Sequence, residues 1–99
     1  MLYVIIGRDV AHSAARRLAA RPRHLLRAEA LRNAGRLVVA GPFPAIDAVD
    51  PGPAGFTGSL ILAEFDSLAA AETWINEDPY VMDGVFASVE VRPFKQVLP

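Results

Sequence analysis

Of the four apolar runs in this chain, two contain proline and two do not, and that division constrains the fold more than any other feature. Leu2-Tyr3-Val4-Ile5-Ile6 and the run from Gly58 to Phe65 are proline-free and nearly continuously apolar. The run that opens at Leu37 is interrupted after Ala40 by Gly41-Pro42-Phe43-Pro44, and the last, from Phe86 to about Val97, holds Pro93. Proline gives no N–H to a strand ladder and is confined to sheet edges. The first and third runs are therefore expected at the centre of one sheet, and the second and fourth at its edges. Helical stretches separate them: about Ser13 to Ala34, stopped by Gly35, and a second opening at Ser67, with Leu68, Ala71, Trp74 and Ile75 at helical spacing as core. Asp78-Pro79-Tyr80 breaks the second helix, and a short turn or helix runs on to Gly84. Residues 45–57, with Asp50-Pro51-Gly52-Pro53 and Gly55, read as a loop. The order βαββαβ is the ferredoxin-like α+β pattern, an antiparallel sheet with two helices on one face. Ninety-nine residues fit one domain, 1–99.

Two helices cover only one face of such a sheet, yet both faces look apolar. Leu2, Val4 and Ile6 point opposite to Tyr3 and Ile5, and Leu60 and Leu62 opposite to Ile61, Ala63 and Phe65. Hydrophobic residues make up 53% of the chain, above the usual share for a small soluble domain. The surplus predicts a homodimer packed through the open sheet face, a dimeric α/β barrel, with part of that face free to line a ligand pocket. Ten basic and eleven acidic residues give no nucleic-acid signature. The absence of cysteine removes disulfides and thiolate chemistry. No run approaches the ~20 apolar residues of a membrane span, and the first residues lack a basic leader, so a cytoplasmic protein without a membrane partner is expected.

The sharpest chemical feature is His24 in Arg21-Pro22-Arg23-His24. Proline is favoured at the first helical position, so Pro22 is expected to split the helical region and place His24 in the first turn of the main helix. Unpaired backbone N–H groups there disfavour a charged imidazole, and a neutral imidazole is what a general base needs. The plainer alternative is a half-buried histidine satisfied by a backbone carbonyl. Asp78 also carries two readings. Before Pro79 it looks like a helix cap, yet one carboxylate oxygen could cap while the other orients an imidazole.

The residues resemble the YCII-related family along nearly the whole chain. The resemblance rests on Met1-Leu2-Tyr3-Val4-Ile5, Arg21-Pro22-x-His24, Gly35-Arg36-Leu37, Ala40-Gly41-Pro42, Asp50-Pro51-Gly52 and Gly55-Phe56-Thr57-Gly58-Ser59. It continues through Ala63-Glu64-Phe65, Asp78-Pro79-Tyr80 and Arg92-Pro93-Phe94-Lys95. It implies a ferredoxin-like protomer, a dimer and a His–Asp centre, the two roles falling here on His24 and Asp78. The family is similar in fold to muconolactone isomerases and in sequence to a chloro-hydroxyhydroquinone dehydrochlorinase, while most members have no assigned reaction.

Around that pair, Arg21, Phe43, Ser59 and Tyr80 are candidate substrate-binding residues: a cation, an apolar wall, a hydroxyl and a phenol. Thr57 is a further candidate hydroxyl, and Arg23 a second cation flanking the site. For the turn residues ordinary chain reversal competes, and for Tyr80 core packing does. The arginines crowding the first helix (Arg16, Arg17, Arg21, Arg23, Arg27, Arg32 and Arg36) read as a solvated face or as an attractor for an anionic substrate. Two histidines without cysteine argue against a metal, and no Gly-rich phosphate loop precedes a helix, so no cofactor is expected. The function expected is a small cofactor-independent isomerase or lyase, dehydrochlorinase-like, with His24 moving a proton on a small anionic or phenolic compound. The alternative is a dimeric small-ligand-binding or accessory module without turnover.

Overall fold

The computed structural model describes residues 1–99 as a four-stranded antiparallel sheet with three helices. The strands are β1 (Leu2–Asp9), β2 (Leu37–Pro44), β3 (Phe56–Glu64) and β4 (Phe86–Phe94). The helices are α1 (Ala14–Asn33), α2 (Leu68–Asn76) and the single turn α3 (Pro79–Met82). Strand order is β2-β3-β1-β4, so the proline-free strands are central and the proline-bearing ones are edges. This is the ferredoxin-like α+β fold. No helix is long and apolar enough to cross a membrane.

Alternation sorts the two sheet faces. Tyr3, Ile5, Ile61, Ala63 and Phe65 are buried in the core beneath the helices, with Ala71 and Ile75 of α2 and Ala20 and Leu31 of α1. Leu2, Val4, Ile6, Leu60 and Leu62 alternate with them on the other face and are only half-buried. Gly7 sits on the helix side, where the Phe86 ring occupies the space that a side chain at position 7 would need. Phe86 in turn meets Tyr80 edge-on, with ring centroids 5.5 Å apart. The core therefore leads directly to the residues of the cleft.

Four boundaries and one packing assignment differ from expectation. β1 runs past Gly7 to Asp9, which matters below because Asp9 pairs with Arg17 of α1. β2 does not stop at Gly41 but pairs with β3 as far as Pro44, since an edge strand tolerates prolines whose N side faces away from the ladder. β3 opens at Phe56, two residues early, and β4 ends at Phe94. Leu68, expected in the core, is exposed at the start of α2.

The largest departure concerns α1. Pro22 does not split it: one helix of 20 residues runs through. The carbonyl that Pro22 leaves without a donor is that of Leu18. Leu18 is 77% exposed and Pro22 is exposed as well, so this turn lies on the solvent side of α1, where an unpaired carbonyl is tolerated. His24 consequently lies near the middle of α1. The end charges of a helix act only within its terminal turns, so the helix-dipole argument for a neutral imidazole does not apply.

Candidate active site

A cleft of about 500 Å³ opens between α1 and the β2–β3 side of the sheet, beneath the turn at Gly52 and Gly55. Its floor includes Ser59 and Ile61 of β3 and Ala40 and Pro42 of β2, and its roof includes Arg17, Arg21, His24 and Ala28 of α1. Tyr80 closes one end. The α1 residues lie on one stripe. Arg17, Ala20, His24, Ala28 and Leu31 are its buried positions, and the three- and four-residue spacing keeps them on one side of the helix.

His24 is 7% exposed and is held from two directions. Its Nδ1 lies 2.7 Å from Asp78 Oδ2, and its ring stacks on Tyr80 with centroids 3.9 Å apart and an interplanar angle of 9°. Asp78 is wholly buried at the break between α2 and α3. Pro79 begins α3, and Asp78 caps it by accepting from the Tyr80 backbone N–H at 2.9 Å. The cap oxygen, Oδ2, is the same one that faces His24. The other oxygen, Oδ1, accepts from Arg27 Nη1 at 2.8 Å, and Arg27 Nη2 donates to the Trp74 carbonyl at 2.8 Å. The division of labour differs from expectation: one oxygen caps and orients together, and the second holds an arginine.

Burial pushes the Asp78 carboxyl up, but the hydrogen bond and charge of His24, the Tyr80 N–H and Arg27 outweigh it and hold the group below its ordinary value. Asp78 is thus an anion that only accepts, so Nδ1 of His24 carries the proton. In the neutral ring the lone pair then sits on Nε2. That nitrogen has no hydrogen-bond partner in the protein, and no side-chain polar atom sealed from solvent lacks a partner, so Nε2 is open to the cleft. Burial raises the pKa of the Tyr80 phenol against the opposing pull of Arg17 and Arg21, leaving a protonated hydroxyl at neutral pH.

A second buried network lies two helical turns before His24. Arg17 is 8% exposed and grips Asp9 with two bonds, Nε to Oδ2 at 2.6 Å and Nη2 to Oδ1 at 2.9 Å. Ser13 donates to Asp9 Oδ2 at 2.5 Å instead of capping α1. Arg17 Nη2 also donates to Ser59 Oγ at 2.9 Å. The guanidinium lies 5.1 Å from the Tyr80 ring centroid.

Of the six residues singled out in the sequence, the structure brings His24, Arg21, Ser59 and Tyr80 to the cleft, with Asp78 directly behind His24. Phe43 is not there. The β2–β3 register sets it across from Gly58, on the sheet face away from the helices, where it is 37% exposed. Thr57 is exposed and outside the lining, and Arg23 turns away to pair with Asp83. Arg17 and Arg27 were hidden among the arginines of α1. Their positions at i−7 and i+3 from His24 were the available signal, since both spacings return to the same helix face.

The sequence profile of the YCII-related domain matches residues 1–95. "Protein YciI" of Escherichia coli is 56% identical over 97 residues, covering 98% of this chain and 99% of its own length. An uncharacterised protein of Haemophilus influenzae is 50% identical over 97 residues. Among solved structures, 5-chloro-2-hydroxyhydroquinone dehydrochlorinase of Burkholderia phenoliruptrix, in complex with 2,5-dihydroxybenzoquinone, superposes with a TM-score of 0.83. It is 26% identical, and the match covers 96% of this chain and 94% of that one. Over its fold, its length and its sequence, the chain is a member of the YCII-related family.

Proposed function

We propose that this protein is a cofactor-independent enzyme of the lyase or isomerase type, in which His24 takes a proton from a small molecule bound in the cleft. The observation that carries this reading is the asymmetry of the imidazole. Nδ1 is committed to Asp78 at 2.7 Å, while Nε2 has no protein partner and faces a cavity. A histidine kept for packing alone has no need of a bare nitrogen at a cleft. Asp78 fixes the tautomer and stabilises the cationic ring after proton uptake, as a carboxylate does behind other histidine bases. Tyr80 holds the ring flat against its own.

The substrate class follows from the cleft and from its relative. A volume of about 500 Å³ with mostly apolar walls suits a single-ring compound. The structural neighbour is a dehydrochlorinase captured with a dihydroxybenzoquinone, which supports a phenolic or quinonoid substrate here. Loss of a leaving group beside the deprotonated centre gives elimination, and return of the proton elsewhere gives isomerisation.

Two copies are further proposed to pack through the open sheet face. Val4, Ile6 and Leu62 are half-buried in the protomer, and Val39, Phe43 and Phe94 are exposed around them. A patch of that kind is a poor monomer surface. The competing function is a ligand-binding module without turnover. The test screens substituted hydroquinones and lactone acids for turnover and, separately, for binding, in wild type and His24→Ala. Turnover that vanishes in His24→Ala while binding survives supports the enzyme; binding without turnover under every condition assigns the module.

A further inference from the structure

Arg17 is a buried cation to which proton transfer at His24 gives no task. Asp9 occupies its Nε and one edge of Nη2, and Ser59 takes the remaining Nη2 hydrogen. Nη1 makes no hydrogen bond of ordinary length in the protein, although the Tyr80 phenol lies close enough to feel the guanidinium, and, like His24 Nε2, it is not sealed from solvent at the cleft that Arg17 lines. Ser59 accepts from Arg17, so its own hydroxyl proton is free to donate into the same space. Two donors on rigid elements, α1 and β3, thus converge at one end of the cleft, locked by a carboxylate behind them.

The charge count points the same way. Arg17 and Arg21 line the cleft, and Arg27 and the two carboxylates, Asp9 and Asp78, stand behind it in the ion pairs Arg17–Asp9 and Arg27–Asp78. Arg21 is the one without a carboxylate partner, and both Arg17 and Arg21 act on the Tyr80 phenol. One negative charge on a ligand would balance the site.

We propose that Arg17 and Ser59 form an oxyanion subsite, which receives one oxygen of a monoanionic or enolisable ligand two turns of α1 away from His24. Its binding role stands independently; its catalytic role rests on His24 acting as the base. In that role, a proton leaves carbon beside the held carbonyl as Nε2 gains it. The C–H electron pair becomes the enolate double bond, and the carbonyl pair moves onto the oxygen that Arg17 Nη1 and Ser59 Oγ–H hold. The proton then returns to another carbon, or a neighbouring group departs with its electron pair and His24 releases its proton to water. Donors placed in advance where charge develops stabilise it without reorganisation.

The test measures binding of 2,5-dihydroxybenzoquinone and of its uncharged 2,5-dimethoxy ether by calorimetry, in wild type, Arg17→Lys, Ser59→Ala and His24→Ala. Circular dichroism confirms folding of each variant. The expected result is a dissociation constant for the dihydroxy compound raised about tenfold or more in Arg17→Lys, where the bidentate fork is lost. Ser59→Ala is expected to raise it about three- to tenfold, the effect of one hydrogen bond. His24→Ala retains binding, and the ether binds weakly and alike in all four proteins. Should Arg17→Lys fail to fold, Ser59→Ala decides, because it leaves the Arg17–Asp9 pair intact. Unchanged affinity in the folded variants overturns the subsite and leaves the His24 base standing. No binding to wild type, or equal binding of ether and acid, also overturns it. Weakened binding in these variants, with no turnover of any hydroquinone by wild type, upholds the subsite and sinks the proton-transfer reading.

Discussion

Replacing Asp78 by asparagine isolates what its charge does, because the shape and one acceptor oxygen are kept. The retained oxygen, left at the Oδ1 position, can still accept from Arg27, while the amide NH₂ at the Oδ2 position leaves the Tyr80 N–H without its acceptor and uncaps α3. What is lost is the anion shared by His24 and Arg27. Removing one partner of a buried ion pair costs about 3–5 kcal/mol. Arg27 keeps its bond to the Trp74 carbonyl, its place over the Trp74 ring at 4.4 Å and 24% side-chain exposure, so the lower end, roughly 3 kcal/mol, applies. For a domain of this size each kcal/mol shifts Tm by about 4–8 °C, so a fall of roughly 12–24 °C is expected at pH 7. The pH dependence has a definite sign. The folded carboxyl lies below its ordinary 3.8, so its stabilisation is complete above that value and is lost as pH falls through the lowered folded value. The Tm gap between wild type and Asp78→Asn should therefore be full at pH 5–7 and should narrow only in strong acid, below about pH 4. The asparagine amide should also turn its N–H toward Nδ1 and move the ring proton to Nε2, which removes the base. A wrong tautomer of this kind costs roughly 10⁴-fold in another histidine–carboxylate enzyme. Nitrogen-15 NMR of the imidazole reads the tautomer directly. A Tm within about 3 °C of wild type at pH 7, smaller than the shift expected from even one kcal/mol, would refute the reasoning. So would an unchanged proton position.

Three other perturbations probe independent parts of the structure. Gly7→Ala places a methyl group into the Phe86 ring and is expected to cost about 1–3 kcal/mol by overpacking, read as a lower denaturation midpoint in urea. Leu62→Glu puts a charge in the middle of the open sheet face, paired across from Val4. Light scattering should show a dimer for wild type and a monomer for the variant, and a wild-type monomer at all concentrations would refute the sheet-to-sheet interface. Arg21→Gln removes the unpaired cation at the rim; binding of an anionic ligand should weaken about three- to tenfold at low salt, with the difference fading as salt screens it.

The strand arrangement was legible because proline placement and alternation are local rules that the sheet cannot evade. Pro42, Pro44 and Pro93 could only lie on edges, and β2 and β4 are the edges. The helix break was misread by the same kind of rule. Pro22 forbids one hydrogen bond, but whether that loss ends the helix depends on whether the orphaned Leu18 carbonyl meets water, and exposure is a tertiary property. Phe43 was misplaced for a related reason. Which face an edge-strand residue takes depends on register, and a shift beside Val39 resets it.

Arg17 shows where reading from sequence stops and why. Among the many arginines of α1, each is locally equivalent, and an arginine on a helix is ordinarily solvated. What distinguishes Arg17 is Asp9, eight residues earlier on a different element, at the end of a strand that runs on past its apolar residues through Gly7. Because β1 continues two residues further, the carboxylate reaches α1 and a buried cation becomes affordable there, since burying either charge alone would cost several kcal/mol. The same logic holds at Asp78, where α3 must begin on a proline for the carboxylate to turn inward. At Asp9 a strand runs on and at Asp78 a helix breaks, and each brings an acid beneath α1 to pair with a residue, Arg17 or His24, that lines the cleft. The chemistry of the site is thus set by where β1 and α2 end as much as by the residues that face the ligand.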